Sequence, residues 1–227
     1  MKRILSFLMA ATLVLSLAAC GGNNSHPDNT NGKPENTNNS TAPSKEIEMT
    51  AQEVLDALKG KLGDSYASDT VETEDRMSGY YGLDMSKVES WAAESNSMSS
   101  MNMDCTVILK VRDGYSQDAA ALLQKAFDQT ASYAQMYQMD LHRVLQARLF
   151  VNGNYVALII EGQQGDWEAS QEDQAKFAAE EAAKADAAWK DIFGTAPTNI
   201  ITIPEAKEDS GFDMSDFDPD LGPVIGG

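Results

Sequence analysis

The sequence predicts an α+β fold: a three-stranded mixed sheet of strand order 1-3-2, packed with helices and followed by an additional C-terminal helix. Three observations predict it. Residues 101–111 alternate, with Met101, Met103, Cys105, Val107, Leu109 and Val111 on one face. Asn102, Asp104, Thr106 and Lys110 lie on the other, with Ile108 as the exception, and period two marks a strand with one buried face. Residues 116–138 place Leu122, Leu123, Ala126, Phe127, Thr130, Ala134 and Tyr137 at helical spacing. Asn152-Gly153 separates two apolar runs and is a hairpin turn, because both central positions of a type I′ turn need positive φ.

In chain order, Thr50-Ala51-Gln52-Glu53 is a capping box, and Val54, Leu55, Leu58 and Leu62 follow on one helical face until Gly60 and Gly63 end it. A second helical piece is expected near residues 75–81, closed by Gly82. Asp84 then caps a third, with Val88 and Trp91 turned inward. After the first strand, Asp113-Gly114 turns the chain into the long helix. Residues 144–151 form the second strand, with Leu145, Ala147, Leu149 and Val151 facing in. Residues 155–160 are apolar on both faces, which makes this the central strand. That placement leaves the first two strands parallel and joined by a right-handed crossover.

The last helix runs from about residue 170 to 193 and is stopped by Gly194. Glu172–Lys176, Glu180–Lys184 and Asp186–Lys190 are i,i+4 pairs with the acid N-terminal, each worth about 0.3 kcal/mol. Ala175, Ala178, Ala182, Ala185, Trp189 and Ile192 step by threes and fours. Such a seam permits close helix approach. It packs on its own domain, or else Ala178, Ala182, Ala185 and Trp189 form an interaction seam for a partner protein or a second copy.

The N-terminus has a basic start, Lys2-Arg3, and then an apolar run over residues 4–19. As a helix this run is roughly 24 Å long, short of the ~30 Å hydrocarbon core. It is expected to be a signal peptide, and Leu17-Ala18-Ala19-Cys20 resembles the lipobox of bacterial lipoproteins at every position. That resemblance implies diacylglycerol on Cys20 and cleavage between Ala19 and Cys20, and two acyl chains suffice for durable anchoring. The expected location is the extracytoplasmic face of the cell membrane. Residues 21–45 are almost wholly Asn, Thr, Ser, Gly and Pro and read as a tether. The expected organisation is therefore signal peptide 1–19, lipidated cysteine and tether 20–45, α+β domain 46–164, Ala-rich helix 165–194 and acidic disordered tail 195–227, with residues 200–203 excepted from the disorder.

Net charge is −18, and loss of Lys2 and Arg3 makes the chain two units more acidic. Such a field excludes nucleic acid and anionic headgroups as electrostatic partners. With Cys20 acylated, Cys105 is the remaining thiol, so no internal disulfide is expected.

Catalytic signatures are missing. The histidines are His26, in the tether, and His142, and no Gly-x-Ser-x-Gly, Ser-x-x-Lys, phosphate loop or His-Glu-x-x-His occurs. No cofactor and no enzymatic activity are expected. A hydrolase would need His142 gathered with carboxylates. Metal handling is the alternative, because Met98, Met101, Met103 and Cys105 offer soft ligands for copper. The tail's Asp216-Phe217-Asp218-Pro219-Asp220-Leu221-Gly222 is similar to a calcium loop but has its glycine at the seventh position and lacks a closing glutamate. Core filling by the methionines and a solvated tail account for both features.

Residues 47–162 resemble the small bacterial lipoprotein domain of unknown function numbered 4358. The resemblance rests on Tyr80-Tyr81-Gly82-Leu83, on Cys105-Thr106-Val107-Ile108-Leu109-Lys110-Val111 leading into Asp113-Gly114, and on Asn152-Gly153-Asn154-Tyr155-Val156. The family usually has a Tyr-Pro step after the long helix, where this chain reads Tyr137-Gln138-Met139. The resemblance implies fold and location but no activity. The sequence thus leads to a membrane-anchored, non-enzymatic module that binds an unidentified protein or small ligand.

Overall fold

The computed structural model describes residues 47–97 and 102–206. Helices α1 (Ala51–Leu62), α2 (Glu74–Gly79), α3 (Ser116–Tyr137), α4 (Leu141–Val144) and α5 (Gln171–Phe193) accompany five strands. These are β1 (Thr70–Val71), β2 (Val88–Ser95), β3 (Cys105–Val111), β4 (Arg148–Asn152) and β5 (Tyr155–Ile160). They make one sheet of order β1-β2-β3-β5-β4, and every neighbouring pair is antiparallel. None of the described helices is long and apolar enough to cross a membrane.

The sheet corrects the three-stranded mixed one expected. The 155–160 strand does lie between the other two expected strands, but all pairing is antiparallel, and two further strands extend the sheet beyond β3. Strand β2 stands where a helix was expected, with only a 3-10 turn, Met85–Lys87, after the Asp84 cap. The register shifts between Val88 and Ser90. The bulge lets Val88 and Trp91, three residues apart, turn to the same core as Ala93. Their spacing imitates a helix.

Both faces of the sheet are covered. Helix α3 lies on one face, where Val107, Leu109, Val156 and Leu158 meet Leu123 and Phe127. On the other, Ile108, Phe150, Ala157 and Ile159 meet α1 and α5. Ile108 is therefore no exception to the alternation: the second face is also interior, and Thr106 on it is fully buried.

Helix α1 begins at the expected capping box. Thr50 Oγ1 accepts the Glu53 N–H at 3.2 Å, while the Glu53 carboxylate accepts the Thr50 N–H at 2.7 Å. Its first N–H is also taken by Ser90 Oγ of β2 at 3.0 Å, which seats the helix on the sheet.

Helix α5 packs on its own domain. Trp189 is 1% exposed, with Phe150 at 5.2 Å and Phe193 at 4.2 Å between ring centroids, and Tyr155 lies 5.2 Å from Phe193. Ala178, Ala182 and Ala185 are buried as well. The four residues considered as a partner seam are thus interior, because small side chains at that spacing let the helix lie close to its own domain. Within residues 195–206, Asn199, Ile200 and Thr202 are hydrogen-bonded to the domain. Asn199 accepts the Leu149 N–H at 2.8 Å and donates to Ala147 O at 3.0 Å, the Ile200 N–H reaches Leu149 O at 3.0 Å, and Thr202 exchanges two hydrogen bonds with Gln124 of α3.

Truncating Trp189→Ala should destabilise the domain by about 3–5 kcal/mol in urea unfolding. Ala182→Glu or Ala185→Glu should lower the yield of folded protein, because each buries a carboxylate without a partner. Wild-type unfolding midpoints for these variants would contradict the packing.

Candidate functional site

The buried polar and charged residues Ser65, Ser68, Glu94, Ser95, Asp104, Thr106, Arg143, Glu161 and Glu181 gather at one end of the sheet. There β3 begins, β2 and β5 run out, α1 and α3 finish, and α4 and α5 start. Desolvated carboxylates must find donors or lose their charge, and three of them find donors in the segment after α1. Glu161, just past β5, accepts the Ala67 N–H at 2.8 Å, Ser68 Oγ at 2.5 Å and Thr106 Oγ1 at 2.9 Å. Glu181 of α5 accepts Ser65 Oγ at 2.7 Å, the Gln163 N–H at 3.1 Å and Lys184 Nζ at 2.5 Å. Glu94 of β2 accepts the Tyr66 hydroxyl at 2.9 Å and Lys59 Nζ at 2.7 Å. Asn96 Nδ2 donates to Ala67 O at 3.0 Å. Each residue from 65 to 68 is therefore pinned by a different atom of the surrounding elements.

Arg143 forms a second knot. Its Nη2 touches Asp104 Oδ1, and its Nη1 lies 3.3 and 3.2 Å from the two Asp140 oxygens. Asp140 Oδ2 also accepts the Met103 N–H at 3.1 Å, which ties the turn after α3 to the approach to β3. That turn holds two residues with positive φ, Gln138 at 54° and Asp140 at 49°. A proline at the position of Gln138 could not take that φ, so this turn is built differently from one with a Tyr-Pro step.

Titration follows the same geometry. Burial pushes the Asp140 carboxyl up to about 7, against the Met103 N–H. Burial also raises Glu161, opposed by its hydrogen bonds and by Arg143. At Glu181 burial is outweighed by Lys184, Ser65 and the Gln163 N–H, and the carboxyl sits below its ordinary value. The Cys105 thiol is pushed up to about 12 by burial and then by Glu161 and Glu72. The thiol is protonated at neutral pH.

Of the residues singled out from the sequence, Cys105 and Met103 lie half-buried against the α3-side core. Met98, Met101, Ala19, Cys20 and the 216–222 segment fall outside the described residues. His142 pairs with Gln171 Oε1 at 2.9 Å. Among the described residues, no three His, Cys, Asp or Glu side chains form a group that could hold a metal ion. Glu94, Arg143, Glu161 and Glu181 were not singled out, and the available signal was the pair Asp104 and Thr106 on a face taken for solvent-exposed. An open groove of about 430 Å³ lies between β4, α5 and the segment after it, lined by Arg148, Asp186, Lys190, Pro197 and Asn199. Arg148 and Asp186 satisfy each other across it at 2.9 Å.

The surface above the buried end carries an exposed indole. Trp167, at 82% exposure, stands on the turn between β5 and α5. That turn is fixed: Asp166 Oδ1 accepts the Glu168 N–H at 2.9 Å, Asp166 O accepts the Ala169 N–H at 3.1 Å, and Gln174 Nε2 donates to Ala169 O at 2.9 Å and Trp167 O at 3.3 Å.

Two outcomes are expected at this end. Gly162 has φ +141°, and a Cβ there would lie 2.9 Å from the Glu181 Cβ, so Gly162→Ala should cost about 1–3 kcal/mol of unfolding free energy. Asp140 has a folded-state pKa above its ordinary 3.8. Its contribution to stability is therefore full below that value and is lost as pH rises through about 7. Asp140→Asn keeps a residue that tolerates the left-handed backbone and removes the titration. Denaturant unfolding from pH 4 to 8 should show the variant gaining on wild type as pH rises; parallel curves would contradict this reading.

Neither a curated protein nor a solved structure matches the chain. A family model does, over residues 61–161, from the last turn of α1 to Glu161, leaving α5 and the Glu181 side of the buried end outside the match. Over that stretch the chain resembles the family described as a domain of unknown function, DUF4358.

Proposed function

We propose that this protein is a lipid-anchored extracytoplasmic module that works by binding another molecule rather than by transforming one. The observation that carries this reading is the division between interior and surface at the polar end. Glu94, Glu161 and Glu181 are saturated by donors of the fold itself, while Trp167 is held out on a fixed turn and covers nothing. An indole exposed to that extent adds little to the core and offers a partner both an apolar face and an N–H donor. The location rests on Leu17-Ala18-Ala19-Cys20 and the polar stretch after it.

Cys20→Ala should move the protein from the membrane fraction to the soluble fraction and abolish incorporation of labelled fatty acid. Crosslinking in native membranes, with neighbours identified by mass spectrometry, should return a defined neighbour with the wild-type protein. Unchanged membrane retention of Cys20→Ala would remove the anchor, and a crosslinking pattern no different from that of an unrelated lipoprotein would remove the binding role.

A further inference from the structure

We propose that the Trp167 turn is the docking point for a basic segment of a partner protein, with a lysine or arginine side chain laid on the indole between carboxylates. This deepens the binding-module reading and rests on it. Trp167 is flanked by Asp166, Glu168, Glu172 and Asp173, all exposed. No lysine or arginine occurs in sequence between Arg148 and Lys176, and Lys176 stands one helical turn beyond Glu172, so Asp166 and Glu168 are the acids nearest the indole in the chain.

The backbone that carries the indole is already held in place. Asp166 and Gln174 hold it, and the turn rests on Phe177, whose Cδ1 lies 3.1 Å from where a Cβ on Gly165 would be. Ser170 caps α5 by accepting the Asp173 N–H at 3.1 Å, which fixes where the following acids project. An indole face attracts a cation by about 0.5–2 kcal/mol, more as water leaves, and preorganised tryptophans are frequent energetic centres of interfaces. The chain's charge of −18 steers a basic partner and repels an acidic one.

The acids on either side of the indole favour a basic protein segment over an anionic bilayer as occupant.

The test is calorimetric titration of the full chain in detergent with a short peptide of alternating arginine and glycine, beside a control with glutamine for arginine. Phosphatidylcholine vesicles are titrated in parallel. The expected result is binding of the basic peptide alone, weakened about tenfold or more by Trp167→Ala and by the pair Asp166→Asn with Glu168→Gln. Unfolding midpoints should not move, since all three side chains are exposed and Asp166→Asn retains a side-chain oxygen to accept the Glu168 N–H. Absence of peptide binding, equal binding by Trp167→Ala, or Trp167-dependent binding to vesicles instead of peptide would each overturn the proposal. So would an unchanged crosslinked neighbour with Trp167→Ala in native membranes, which would leave the binding-module reading in place.

Discussion

Glu161 sits where strand β5 runs out, and its two oxygens collect one backbone N–H and two hydroxyls, from Ala67, Ser68 and Thr106. A buried carboxylate that loses its donors costs on the order of 3–5 kcal/mol, so the segment supplying them is held where it is. Through Ser68 and Ala67 the constraint fixes the path from α1 into β1, and through Thr106 it reaches β3. Arg143 adds the turn after α3, and Glu181 adds α5. The elements that cover the two faces of the sheet are thus joined at one end by charge and hydrogen bonds as well as by apolar contact.

Much of the fold was legible in the residues. The capping box at Thr50, the long α3, the hairpin at Asn152-Gly153 and the extent of α5 all follow from local rules, because each is decided by neighbours in sequence. What escaped was decided by tertiary contact. Strand β2 looked helical because a bulge at its start brings Val88 and Trp91 to one side. The sheet is wider than the sequence predicts for the same reason, since β1 pairs only with β2.

The polar end was hidden by a sound rule applied where it fails. Asp104, Thr106 and Lys110 alternate with apolar residues, which ordinarily marks a wetted face. Here Lys110 does stay half-buried near the sheet's other end, while Thr106 and Asp104 are closed over. What distinguishes them is the match between Thr106 and Glu161, which are 55 residues apart. No period in one strand carries that information. The alanine seam of α5 shows the converse: its spacing was evident, but only the aromatic stack of Phe150, Trp189 and Phe193 decides which surface it meets.

The run from Asn199 to Thr202 has a consequence beyond its own packing. Strand β4 is the last of the sheet, and the backbone groups of Leu149 on its outer side are taken by Asn199 and Ile200. An outer strand with vacant N–H and C=O groups is a template for strand exchange between copies, and that hazard grows when molecules are crowded on a surface. The stretch after α5 thus acts as a selvedge, a finished margin that keeps the weave from running on into the next molecule. Trimming by a protease at Thr195 would leave α1 to α5 intact and undo that margin.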